Sequence, residues 1–279
     1  MRNGVGFGKT LRIGVSRTSL TLLQSSGWLR RRDSVVSDLQ LTTEETASSD
    51  QIAAHLDAML TDGKCRDQAV TVILADDLVR YFMVTPPRNV KRLQDCRSAA
   101  AMRFSILVRR TRRRLANGGR LGFAKAIFLS CALPHSLLSV LQQAADKHQL
   151  KLIAVLPQFV AAWNQWRSVI KPDAWFGVAH ADSLTVAAID RQGLRAVRTT
   201  ALASEHRQDE HWLPAHVKRE ALRLNLAQPS RIQLCGVLAA HWSAHTASSP
   251  PCERLDLHTV APHPAHSAGV ALTRTGIRT

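Results

Sequence analysis

An α/β fold built around a repeated unit is the prediction that follows from three features of this sequence. The stretches "LRIGVSRTSLTLLQ" and "FGVAHADSLTVAAID" share one pattern: apolar strand, short polar turn, apolar strand. They align on Ser19-Leu20-Thr21 and Ser183-Leu184-Thr185. Each is followed by a further strand pattern, "SDLQLT" and "LRAVRTT", and then by a helical segment, so a β-β-β-α unit occurs twice. The rest of the chain places buried apolar runs next to amphipathic helices, the arrangement of helices laid on sheets.

The first ten residues, "MRNGVGFGKT", end like a phosphate-binding loop. Such a loop needs a glycine five positions before its Gly-Lys pair, and Asn3 stands there. It also needs a strand before it and a helix after it, whereas "LRIGVSRTSLTLL" follows with a strand pattern. Residues 1–10 are therefore expected to be a flexible tail. "DQIAAHLDAML" reads as a helix with Asp50 as N-cap and Ile52, Leu56, Met59 and Leu60 on its inner face. In "VTVILADDLVRYFMVTPP" two β-rich runs flank Asp76-Asp77, which read as a hairpin turn, and Pro86-Pro87 end the second run. An amphipathic helix is expected over about 89–108, with Leu93, Cys96, Ala100, Phe104 and Leu107 on one stripe.

Beyond the loop "LANGGRLG", "FAKAIFLSCALP" reads as a buried strand and "PHSLLSVLQQAADKHQL" as a helix with Pro134 at its first turn. "LKLIAVL" and "PQFVAAWNQWRSVI" are a further strand and helix. "DEHWLPAHVKREALRLNL" has acids first and bases later, which suits the helix dipole. From about Thr246 the periodicity ends and Pro, His and Ser gather, so 247–279 is expected to be a disordered tail.

A hydrophobic content of 45% is that of a globular protein. The longest apolar candidate, "LIAVLPQFVAAW", is interrupted by Pro157 and Gln158 and is too short to span a bilayer. No apolar secretory segment is seen at the N-terminus, and the five cysteines form no C-x-x-C pair, so a reducing cytoplasmic setting is expected. The net charge is +16, and residues 88–120 hold ten Arg and one Lys against Asp95 alone. Such a stretch seeks anions: lipid headgroups, nucleic acid or an acidic protein face.

The order of these pieces resembles the actin-like assembly proteins of bacterial type IV pili and type II secretion, the PilM and GspL cytoplasmic-domain family. "LRIGVSRTSLTLL", "VILADDLVRYFMVTPPRNVKRLQDCRSAAAMRF" and "LLSVLQQAADKHQLKLIAVLPQFVAAWN" carry the resemblance, over residues 11–240. It implies an actin-like (RNase H-like) two-lobed fold with mixed sheets. Lobe I would span 11–170, with a small inserted α/β subdomain near 76–120, and lobe II 171–246.

Members of that family that bind ATP use two turns and a glycine pair. Here the chain departs from the pattern. Arg12 stands where an acid would precede Ile-Gly, Gly177 stands at the matching place in lobe II, and Cys235-Gly236-Val237 lacks the second glycine. Gly14, Ser16, Thr18, Asp182 and Gly236 are what remains of a nucleotide site, and turnover is not expected. No cofactor is expected, with Mg-ATP as the alternative. The resemblance implies a non-enzymatic scaffold, peripheral at the inner membrane, docking on the cytoplasmic segment of a membrane-anchored pilus or secretion protein through Val79, Arg80, Tyr81 and Met83. Arg109, Arg110, Arg112, Arg113 and Arg114 would face the anionic membrane surface or an acidic partner.

Other chemistry finds less support. His241 and His245 share an i, i+4 spacing, but no third metal ligand is fixed beside them. Ser16 and Ser183 lie in no G-x-S-x-G elbow. The Arg run has no recognised nucleic-acid motif, so nucleic acid is a further alternative resting on charge alone. The first alternative is an actin-like ATPase that keeps its nucleotide.

Overall fold

The computed structural model describes residues 9–27, 32–42, 48–86, 92–107, 127–171, 173–191, 193–239, 242, 250–256 and 267–277. The chain begins as an antiparallel meander, β1 (Lys9–Val15), β2 (Ser19–Ser26) and β3 (Arg32–Gln40), followed by α1 (Ser49–Asp62) and β4 (Ala69–Leu74). Lys9 and Thr10, expected in the flexible tail, instead begin β1 because they pair with Ser26 and Ser25 of β2, and the chain continues as a strand and not as the helix a phosphate-binding loop needs. The stripe Ile52, Leu56, Met59 and Leu60 is buried, and the N-cap is Ser48, whose hydroxyl accepts from the Gln51 amide; Asp50 sits in the first turn instead.

After a short 3-10 turn (Asp76–Leu78) come β5 (Arg80–Val84), α2 (Leu93–Leu107), β6 (Phe128–Ala132), α3 (His135–Lys147), β7 (Lys151–Pro157) and α4 (Gln158–Trp166). β1 pairs parallel with β4, and β4 with β7, which makes the order β3-β2-β1-β4-β7. β5 and β6 pair with each other as a separate two-stranded sheet. The expected hairpin at Asp76-Asp77 is therefore corrected, because β4 and β5 diverge into different sheets. The insert also extends past residue 120, since β6 closes its sheet. Phe82, Val84, Ala100 and Ala132 form its small core, with Phe104 against Phe82 at 5.8 Å.

Lobe II repeats the plan. β8 (Ala174–His180), β9 (Ser183–Asp190) and β10 (Gly193–Ala201) form a meander, then α5 (Ser204–Gln208), α6 (Trp212–Leu224) and β11 (Arg231–Gly236) follow. β11 runs parallel to β8, as β4 does to β1. The edge strand β12 (Cys252–Arg254) completes the order β10-β9-β8-β11-β12.

Of the disordered tail expected over 247–279, the described residues are 250–256 and 267–277; β12 and the last element, α7 (Ala268–Arg274), correct the expectation there. α1 and α3 cover one face of the lobe I sheet, where Leu11, Ile13, Val70 and Val72 meet Leu56, Leu60, Leu137 and Leu141. The opposite face carries Leu23 and Ile73, which are covered by Val270, Leu272 and Ile277 together with Ala161 of α4. Alternation along β1 thus sends Leu11 and Ile13 to one side and Arg12 and Gly14 to the other. Without α7 that second face would be wet. The chain returns to lobe I at 268–277 because an apolar face has to be buried.

Arg12 fastens this return. Its Nε donates to the Thr273 carbonyl oxygen at 2.7 Å and its Nη2 to that of Thr275, so the guanidinium satisfies carbonyls at the C-terminal end of α7. Gln165 of α4 holds the next residues: its Nε2 donates to Ile277 O at 3.1 Å, and its Oε1 accepts from Gly276 N at 3.0 Å. Arg12→Met keeps the apolar stem and removes the donors. It is expected to lower unfolding stability by about 1–3 kcal/mol, read from the urea midpoint at unchanged slope.

Candidate functional site

The two lobes face each other across a cleft of about 820 Å³. Its walls are the β1–β2 turn (Ser16, Arg17, Thr18) and the β8–β9 turn (Ala181, Asp182), with Asp76 and Asp77 following β4 and His180 ending β8. These are the C-terminal ends of parallel strands, where open α/β sheets leave room for a ligand because the chain there turns away from the sheet. An aromatic group joins the lobes beneath the cleft. Phe159 of α4 lies 5.7 Å from Tyr81 of β5 and 5.7 Å from Phe176 of β8, and Trp163 lies 5.9 Å from Phe176.

Each turn is held by its own hydroxyls and by arginine. Ser16 Oγ accepts from the Thr18 and Ser19 amides at 3.2 and 2.9 Å, and Thr18 Oγ1 lies 3.4 Å from it. Arg17 Nε is 3.2 Å from Asp77 Oδ2, and its Nη2 donates to the Asp77 carbonyl oxygen at 3.2 Å. Across the cleft Arg207 of α5 pairs with Asp182. Ala181 sits at φ 41°, a left-handed backbone conformation that costs a residue with a Cβ about 1 kcal/mol or more.

Two buried titratable groups line this space. Asp76 is 1% exposed; its Oδ1 accepts from Tyr81 Oη at 2.5 Å and from Phe159 N at 2.9 Å, while Oδ2 has no hydrogen-bond partner among the described residues. Burial pushes its pKa up to about 6, against the pull of those donors. His180 is 3% exposed and neither ring nitrogen is hydrogen-bonded among the described residues. Burial lowers it to about 4, so the imidazole is neutral at pH 7. Burial also raises Asp77, with Arg17 opposing.

The residues expected to form a nucleotide site divide. Ser16, Thr18 and Asp182 line the cleft. Gly14 lies instead under α7, where a Cβ would stand 2.2 Å from Thr273 Oγ1; the glycine serves helix–sheet packing. Gly236 (φ 99°) lies against β8, where a Cβ would stand 2.2 Å from the Ala179 carbonyl oxygen. Its amide donates to Asp256 Oδ2 at 2.9 Å, and Asp256 is in turn bound by Arg254 Nε at 2.6 Å.

The expected docking strand also needs correction. Tyr81 points inward to Asp76 and Val79 belongs to the lobe I core, because β5 packs one face against the body of the protein. Arg80 is exposed at the cleft and Met83 is half-buried. Arg109, Arg110, Arg112, Arg113 and Arg114, and likewise His241 and His245, lie outside the described residues.

Sequence reasoning took Asp76 for a turn residue and passed over His180, Arg17, Arg207 and Asp256. A usable signal for Asp76 was its place one residue after the run "VTVIL", just past the end of a strand in the middle of a sheet. No such local signal marks His180 or Asp256.

No protein-family model matches this sequence, and no curated protein does. Among solved structures, a Bacteroides thetaiotaomicron protein of unknown function with an actin-like ATPase fold is similar at TM-score 0.64 and 11% identity, over 95% of this chain and 95% of that one. A chain of the PilM–PilN type IV pilus biogenesis complex is similar at TM-score 0.57 and 14% identity, over 96% of this chain and 94% of that one. At such identities the likeness is one of fold, and it agrees with the doubled sheet order and the cleft between the lobes: the chain has the actin-like ATPase fold.

Proposed function

We propose that this chain is a non-enzymatic docking scaffold of the inner-membrane assembly platform of a type IV pilus or type II secretion system. It sits on the cytoplasmic face and binds the cytoplasmic segment of a membrane-anchored partner. The observation that carries the reading is how the groups around the cleft are occupied. The carboxylates of Asp77 and Asp182 are each paired with an arginine of the same chain, and the Gly236 amide is taken by Asp256. A magnesium–nucleotide needs free carboxylates for the metal's ligand shell and free backbone N–H groups for phosphate, and Asp77, Asp182 and the Gly236 amide would each have to leave a partner to supply them. The shared fold with a chain of the PilM–PilN complex supports the choice of machine. Among the described residues no helix is long and apolar enough to cross a membrane, which suits a peripheral subunit.

Within this reading Arg80 and Met83 are the β5 residues available to a partner peptide, and the Arg109–Arg114 run faces anionic lipid or an acidic partner. Purification of the tagged full chain from its own cells should retain a named single-span pilus or secretion protein. Recovery without any such protein overturns the reading. Calorimetric titration with Mg-ATP should give no binding tighter than about 1 mM.

One observation favours the actin-like ATPase alternative: the two hairpin turns do face each other across an 820 Å³ cleft. Saturable heat with Mg-ATP, abolished by Asp182→Ala, would establish it.

A further inference from the structure

Asp76 is a carboxyl group on which four parts of the protein converge. It opens the 3-10 turn after β4 in lobe I; Tyr81 reaches it from the inserted subdomain, the Phe159 amide from the first turn of α4, and the Thr185 hydroxyl of β9 stands beside it from lobe II. Phe159 in turn presses its ring on Phe176 of lobe II. The Tyr81 and Phe159 donors both go to Oδ1; Oδ2 is buried at the cleft with no hydrogen-bond partner among the described residues.

We propose that Asp76 is a proton-operated clasp between the lobes: protonated, it closes the floor of the cleft, and ionised, it admits water there and loosens the contact of the 3-10 turn with β9 and β10. A protonated Oδ2 carries its own donor, for which the Thr185 oxygen beside the carboxyl is an acceptor. An ionised carboxylate can take a hydrogen bond from the Thr185 hydroxyl, which favours the charged form but is shared with Thr199 Oγ1 at 2.9 Å; burial outweighs it, and water entering by the cleft is the remaining source of donors. The exchanged proton comes from and returns to that water.

The midpoint near 6 places the change inside the range a cell can reach. Asp77 on the same turn opposes ionisation of Asp76, and Arg17 stands against Asp77. Tyr81 of β5 and Cys235 of β11 feel the Asp76 charge, and burial holds both well above their ordinary values, so neither titrates in this window. Cys131 of β6 acts on Tyr81, and His180 of β8 lines the same cleft and titrates lower.

The test uses the full chain, with Asp76→Asn as a fixed mimic of the protonated state. Infrared difference spectra of wild type should show the band of a buried protonated carboxyl that disappears with a midpoint near pH 6 and is missing in Asp76→Asn. Amide hydrogen exchange over 156–166, compared at equal pH, should be similar for the two proteins at pH 5. At pH 7.5 it should be faster in wild type, on the order of tenfold. Should Asp76→Asn fail to fold, Tyr81→Phe, which removes a donor to the carboxylate, must move the infrared midpoint upward. Absence of the band between pH 4 and 8, an exchange ratio that does not change with pH, or an unmoved midpoint in Tyr81→Phe overturns the proposal.

Discussion

Gly14→Ala loses about 2–3 kcal/mol of unfolding stability, and Thr273→Ala in the same chain restores most of it. The new methyl group would stand 2.2 Å from Thr273 Oγ1 and 3.3 Å from the Gly269 carbonyl oxygen, so the helix or the hydroxyl has to shift. Overpacking of this kind typically costs about 1–3 kcal/mol. Because α7 is also fastened by Arg12 and Gln165, it cannot ride up without losing those hydrogen bonds. Thr273→Ala alone removes the hydroxyl that donates to Gly269 O at 2.7 Å and is expected to cost about 1 kcal/mol. A double-mutant cycle by urea denaturation measures the coupling. If the two losses add, the close approach of β1 and α7 is not what requires glycine here.

The second large effect is on acid stability. His180 is buried and neutral, and its folded pKa of about 4 lies below the ordinary 6.5. A depressed histidine contributes stability that is fully present above pH 6.5 and is lost as pH falls from there through about 4. Over that interval the loss attributable to His180 reaches about 3 kcal/mol. His180→Gln cannot take up the proton, so the stability difference between variant and wild type should move by that amount in the variant's favour between pH 7 and pH 4. Asp76 runs the other way: its raised pKa favours the folded state at low pH, and that advantage disappears between about 4 and 6. The wild-type profile alone therefore shows partial cancellation, and only the single variants separate the two groups. A constant difference between His180→Gln and wild type across this range would mean that the imidazole is hydrated and titrates normally.

Much of the architecture could be read from neighbouring residues. The alternation in "LRIGVSRTSLTLL" and "FGVAHADSLTVAAID" becomes β1–β2 and β8–β9, and the stripe Ile52, Leu56, Met59, Leu60 becomes the buried face of α1. The candidate site was only partly legible. Ser16, Thr18 and Asp182 meet at the cleft because they lie in hairpin turns, which are local features. Gly14 and Gly236 lie against α7 and β8 instead, and a glycine demanded by a crossing helix or a neighbouring carbonyl looks in sequence like one demanded by a ligand.

Strand and helix periods, the repeat and the polar turns arise from residues two to four positions apart, so the amino-acid order alone specified them. The fate of Arg12, whose partner Thr273 lies 261 positions away, arose from the closing of the lobe I sheet by α7. Asp76 likewise read as a hairpin turn, whereas β5, α4 and β9 enclose it. Burial is a property of everything that packs around a group, and the charge state of a carboxyl or imidazole follows burial; neither is written in the residues beside it.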